Sequence, residues 1–138
     1  LSIIAKLISG GLQTPVYMAS IGGFDTHANQ LTTQANLLKT LSDAIINFQL
    51  DLNKLGLEQR VCVMTYSEFG RRVNQNGTAG TDHGTAAPMF FVGKNVKSGL
   101  IGANPNLKAL DSSVPFGNQN HPLAILSLIR EPIEGCHV

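Results

Sequence analysis

An α/β fold is predicted, with a parallel-sheet core, flanking helices and only part of a complete domain. Three observations predict it. Two apolar, β-rich runs, residues 16–21 and 61–65, bracket a long amphipathic stretch, the β-α-β order of a right-handed parallel crossover. The second run is almost continuously apolar, as in a strand covered on both faces of a parallel sheet. A third run, Pro88-Met89-Phe90-Phe91-Val92, follows an interruption rich in glycine and asparagine and reads as a further strand.

The elements follow in order. Residues 1–9 set Ile3, Ile4, Leu7 and Ile8 at helical spacing and stop at Gly10-Gly11, a glycine helix end. Pro15 precedes the first strand and Gly22-Gly23 follows it. Leu38, Leu41, Ile45, Phe48, Leu52 and Leu55 then form an unbroken stripe in steps of three and four, and Gly56 ends it. The second strand, residues 61–65, leads into Ser67-Glu68-Phe69-Gly70-Arg71-Arg72. Residues 74–81 read as an exposed loop, and residues 93–120 as loop with room for a small hairpin. After Pro122, residues 123–129 suit a short apolar helix.

Composition bounds the partners. The 138 residues are 43% hydrophobic and only 14% charged, which gives one globular domain, or part of one, with a buried core. A net charge of +1 and no basic run beyond Arg71-Arg72 exclude the electrostatic footprint of a nucleic-acid or anionic-membrane binder. Cys62, in an apolar run, and Cys136, near the end, make no disulfide framework. No apolar run reaches the length of a transmembrane segment, and no signal peptide stands at the start. The chain opens on Leu1 inside a helical pattern, so it reads as a processed or partial product with any export signal upstream.

Two acid–histidine pairs carry the chemistry: Asp25-Thr26-His27 and Asp82-His83. Each follows an apolar run beside glycines, which suits the carboxyl edge of a sheet, where open α/β folds keep their sites. Asp25 and His27 are two apart and share a side of an extended chain. Asp82 and His83 are adjacent, diverge on a strand, and converge only in a turn of the kind Gly77, Gly80 and Gly84 make accessible. Carboxylate oxygen with imidazole suits a divalent metal such as zinc, manganese or iron. The competing reading makes Asp25-Thr26-His27 a helix cap and Asp82-His83 ordinary turn chemistry.

Glu68 follows a strand at the same edge. It is a candidate metal ligand, orienting acceptor or acid–base group, or else an ion-pair partner of Arg71 or Arg72. The planar fork of Arg71 suits an oxyanion, and exposure on the surface is the plain alternative. Thr26, Ser67 and Thr85 are loop hydroxyls without a base in place.

These residues also carry a resemblance. Gly22-Gly23-Phe24-Asp25-Thr26-His27, then Thr65-Tyr66-Ser67-Glu68-Phe69-Gly70-Arg71, then Gly80-Thr81-Asp82-His83-Gly84, with Gly93-Lys94-Asn95-Val96 after them, resemble the carboxyl-terminal half of a bacterial family known as domain of unknown function 1501. That family is grouped with the alkaline phosphatase and sulfatase superfamily. The resemblance implies an alkaline-phosphatase-like domain of which residues 1–138 form the carboxyl-terminal portion, with residues 117–138 an atypical tail. It implies a metal-dependent hydrolase of small-molecule phosphate or sulfate esters. Asp25 and His27 take the place of the superfamily's later acid–histidine ligands, and Asp82 and His83 that of its Asp-His ligand pair. The early Asp and the nucleophile belong to the amino-terminal half, so little turnover is expected of this chain alone. The alternative is a non-catalytic exported binding or assembly protein on the same scaffold. Relatives of this kind are commonly exported, which implies a periplasmic or extracellular address for the parent. Sheet edges without their neighbours imply self-association.

Overall fold

The computed structural model describes residues 1–102, 106–107 and 124–127. Helix α1 (Ser2–Ser9) and the long helix α2 (Gln30–Lys54) come first, and strands β1 (Val63–Met64), β2 (Gly70–Gln75), β3 (Thr81–Gly84), β4 (Pro88–Val92), β5 (Gly99–Ile101) and β6 (Ala124–Ser127) follow.

Both helices end as the glycines require. At the end of α2, Gly56 adopts φ 66°, the left-handed conformation that costs glycine least. Its N–H bonds Asn53 O at 3.0 Å, and the Leu57 N–H bonds Leu52 O at 2.8 Å. That is the Schellman closure. Gly11 ends α1 in the same way, with the Leu12 N–H on Leu7 O at 3.1 Å. The closure also brings Leu57 back beside Leu52. These two residues join Ala5, Ile8 and Phe48 in the buried core, where Leu52 is 0% exposed. Ile4, Tyr17, Val61 and Val63 pack around it.

Helix α2 begins well before its apolar stripe. Its first turns carry Gln30, Thr32, Thr33, Gln34 and Asn36, so periodicity gives no signal there. What holds them is tertiary. Asn29 sits at φ 45° without a side-chain cap. The N–H groups of Asn29 and Gln30 instead bond Thr78 O and Ala79 O, each at 3.0 Å. The turn between β2 and β3 thus satisfies amides that a helix start leaves open.

The parallel-sheet α/β core is not formed. The described residues make two helices and small, mainly antiparallel sheets: one of four strands in the order β1-β4-β6-β5, and a separate β2-β3 hairpin. Residues 16–21 have strand-like composition but, among the described residues, lie outside any ladder. A strand needs a neighbour for its N–H and C=O groups, and the crossover partner is turned elsewhere. Val16 and Met18 remain 77% and 79% exposed, while Tyr17 packs on the core. Of residues 61–65 only Val63 and Met64 enter the sheet, antiparallel to β4 with Val63 opposite Val92. The ladder stops where the Thr65 hydroxyl accepts the Phe90 N–H at 3.0 Å. Among the described residues the one parallel pairing is β4 with β6; β5 pairs β6 antiparallel.

The expected loop at residues 74–81 is the end of β2, a tight turn and the start of β3. Residues 124–127 are strand, not helix. The rest of that expected helix, His121, Cys136 and most of the tail lie outside the described residues. No described helix is long and apolar enough to cross a membrane.

A core of so few side chains leaves little margin. Leu52→Ala is expected to cost about 2–5 kcal/mol, a large share of the roughly 5–15 kcal/mol that holds a domain together. Thermal and urea unfolding followed by circular dichroism measure it. A loss below about 1 kcal/mol would show that the α1–α2 contact does not hold the fold.

Candidate metal centre

Three segments meet at the amino-terminal end of α2. The chain after Gly22-Gly23 supplies Asp25 and His27, β3 supplies Asp82 and His83, and the turn between β2 and β3 lies across them. The turn approaches closely. A Cβ on Gly80 would collide with the carbonyl of His27, so only glycine lets the two backbones touch here. Thr78 Oγ1 donates to His27 O at 2.7 Å, and Asn76 Nδ2 donates to the same carbonyl at 2.9 Å. Thr81 Oγ1 bonds Gln30 Oε1 at 2.8 Å. His27 is therefore fixed by its backbone before its ring makes any contact.

Asp25 Oδ1 lies 2.7 Å from His83 Nε2 and 3.0 Å from His27 Nε2. The ligand atoms of Asp25, His27 and His83 all lie within 4.8 Å of one another. The two imidazole rings are 4.8 Å apart and tilted by 37°, and Phe69 stacks on His83 at 3.9 Å. That stacking holds the His83 ring in place. The site is open to solvent, with the Asp25 side chain 66% exposed and that of His83 36%.

Asp82 and His83 diverge, as neighbours on a strand do. His83 turns to Asp25, whereas Asp82 Oδ1 lies 3.5 Å from His27 Nδ1, on the far side of that ring. The four sequence candidates thus resolve into a group of three with Asp82 behind it. The helix-cap reading of Asp25 is excluded, because the cap position is Asn29.

The electrostatics follow the contacts. The hydrogen bond from His83 holds the Asp25 carboxyl below its usual 3.8 against the opposing effect of burial, and His27 adds to the lowering. Asp82 is lowered chiefly by the bond from Asn76 Nδ2 at 3.1 Å, with His27 and the charge of Arg72 assisting.

Arg71 takes a structural position. Its Nη1 donates to Thr81 O and its Nη2 to Phe24 O, both at 2.5 Å, and its guanidinium lies 5.1 Å from the centre of the Phe69 ring. It ties the Asp25 segment to β3, and no ion pair joins it to Glu68 among the described residues. Glu68 instead lines an open groove of about 490 Å³ together with Ser67, Phe69, His83 and Thr85. His83 is the residue shared by groove and cluster.

Sequence reasoning missed Asn76 and Phe69. Asn76 at the head of a glycine-rich turn is a signal for a side chain bonding its own backbone further on, and Asn76 Oδ1 does accept the N–H groups of Thr78 and Gly80 at 3.0 Å each. Nothing in the sequence marked Phe69 as a ring partner.

The family described as protein of unknown function (DUF1501) matches residues 11–120, and the chain belongs to that family. No curated protein and no solved structure matches it significantly.

Both carboxylates are held ionised, which fixes the sign of their pH dependence. A carboxyl whose folded value is lowered contributes stability above the ordinary carboxylate range and loses it as pH falls through the lowered value. In the metal-free chain, carbon-13 NMR titration of the side-chain carboxyls is expected to give midpoints below 3.8 for Asp25 and Asp82. Midpoints at or above that value would contradict the contacts with His83 and Asn76.

Proposed function

We propose that this chain carries the metal-binding part of a hydrolase acting on phosphate or sulfate esters, with Asp25, His27 and His83 holding zinc, manganese or iron. The observation that carries the reading is the gathering of one carboxylate oxygen, Asp25 Oδ1, with the Nε2 atoms of His27 and His83, which both contact it. Their donor chemistry suits these metals. Three protein ligands leave a coordination position open, the arrangement of catalytic rather than structural sites. Ligand atoms around an ion with bonds of about 2.0–2.1 Å stand roughly 3.3 Å apart, so the 2.7 and 3.0 Å contacts of Asp25 need to open by roughly 0.6 and 0.3 Å, while the two imidazoles, whose ligand atoms lie within 4.8 Å, settle to the same spacing.

Proton bookkeeping points the same way. A neutral imidazole donates from one ring nitrogen only, yet His27 has a carboxylate at both, Asp25 at Nε2 and Asp82 at Nδ1. An ion at Nε2 removes the conflict by leaving the proton on Nδ1 for Asp82, the carboxylate–histidine–metal arrangement.

A bound divalent ion would supply a Lewis acid for an ester oxygen. The groove beside His83 would seat the substrate, and Glu68 on its wall is the group placed to hold or move a proton. Arg71, with both terminal nitrogens on carbonyls, serves by positioning Phe24 and Thr81.

A second reading is a non-catalytic binding or assembly protein, exported to the periplasm or beyond the cell. Segment 16–21, which joins no ladder among the described residues and leaves Val16 and Met18 exposed, favours it, because an apolar segment with open backbone groups seeks another strand, a second copy of the chain included.

Elemental analysis and calorimetric titration with zinc test the proposal. Near-stoichiometric metal is expected in the native chain, its loss in Asp25→Ala and His83→Ala, and an unchanged circular dichroism spectrum. A native chain that retains no metal overturns the metal site. Metal-dependent release of phosphate or sulfate from an aryl ester by the full-length parent supports the hydrolase, and stoichiometric metal without such release from the parent supports the second reading.

A further inference from the structure

We infer that Asn76 is a positioning residue for this metal site, acting on His27 through Asp82; the inference rests on the proposed Asp25–His27–His83 centre. Asn76 holds two groups that decide where His27 stands. Its Nδ2 donates to the His27 carbonyl at 2.9 Å and to Asp82 Oδ1 at 3.1 Å. The same Oδ1 is the atom that faces His27 Nδ1.

The orientation of the Asn76 amide is set by its other end. The Thr78 and Gly80 N–H groups both point at Asn76 Oδ1, and a backbone donor requires an acceptor, so the carbonyl oxygen belongs there and the NH2 faces Asp82. The backbone of Asn76 is pinned as well, its N–H bonding Gly80 O at 2.9 Å. A rigid turn therefore presents a fixed donor to Asp82. That donor leaves Asp82 aimed at His27 Nδ1, placed to accept its proton when an ion takes Nε2. Asp82 orients the ligand, and Asn76 orients Asp82. Partners of this kind are worth about 10–100-fold in metal affinity.

A zinc-binding cycle tests the chain of action. The native protein, Asn76→Ala, Asp82→Ala and the double variant are titrated with zinc, with circular dichroism confirming the fold. Each single change is expected to weaken binding by about 10–100-fold, and the double variant to be no weaker than Asn76→Ala, which already removes the aim of Asp82 together with the bond to the His27 carbonyl. Losses that multiply in the double variant mean that Asn76 acts independently of Asp82, which overturns the inference and leaves the metal centre standing. A native chain that binds no zinc overturns the metal centre, and the inference falls with it. If Asn76→Ala unfolds the turn, Asn76→Ser carries the test, because its hydroxyl still accepts from the turn amides but is too short to reach Asp82. A loss of at least about tenfold is expected for it, and unchanged affinity overturns the inference. In the zinc-loaded native chain the His27 Nδ1 proton is expected as a protected NMR signal that Asn76→Ser exposes to exchange.

Discussion

The structure depends on one docking event, the seating of the β2–β3 turn on the start of α2. Backbone and side-chain donors act across it in both directions: two helix amides reach the Thr78 and Ala79 carbonyls, and Asn76 and Thr78 reach the carbonyl of His27. A helix that starts without a side-chain cap leaves amides unsatisfied, and those amides are what the turn needs for its own carbonyls. The exchange is mutual. It extends α2 through its polar first turns, and it places β3 beside residues 25–27. Together with Arg71, which bridges Phe24 and Thr81, it brings His83 within reach of Asp25.

The charges at this junction are organised around His27. One neutral imidazole between two carboxylates has a single N–H for two acceptors, and only the doubly protonated ring serves both. His83 and Asn76 relieve part of this shortfall by donating to Asp25 and Asp82. The proposed divalent ion at Asp25, His27 and His83 would relieve the rest. The exposed setting makes the bare ion pairs weak, so the geometry is kept by the backbone contacts, by Arg71 bridging Phe24 and Thr81, and by Phe69 stacked on His83.

What the sequence made legible was local. Glycine ends for both helices, the buried face of α2 around Phe48 and Leu52, the strand at Pro88–Val92 and the candidate groups Asp25, His27 and His83 all follow from residue type and spacing. The parallel core did not follow, because ladder partners are not encoded locally: residues 16–21 have the propensity of a strand and no described neighbour, and Val63 pairs antiparallel with Val92. The start of α2 was hidden because its first turns are polar and are held by a turn far along the chain, 49 positions from His27 to Asn76. Asp82 and His83 were expected to converge in a turn; they lie on β3 and diverge, and the place of Asp82 behind His27 required the turn that Asn76 builds.

The central claim is that Asp25, His27 and His83 form a single ligand set. Anomalous diffraction from crystals of the zinc-loaded chain tests it most directly. The expected result is one zinc peak bonded to Asp25 Oδ1, His27 Nε2 and His83 Nε2 at about 2.0–2.1 Å, with Asp82 on His27 Nδ1. A zinc peak elsewhere, or none at this junction, would contradict it.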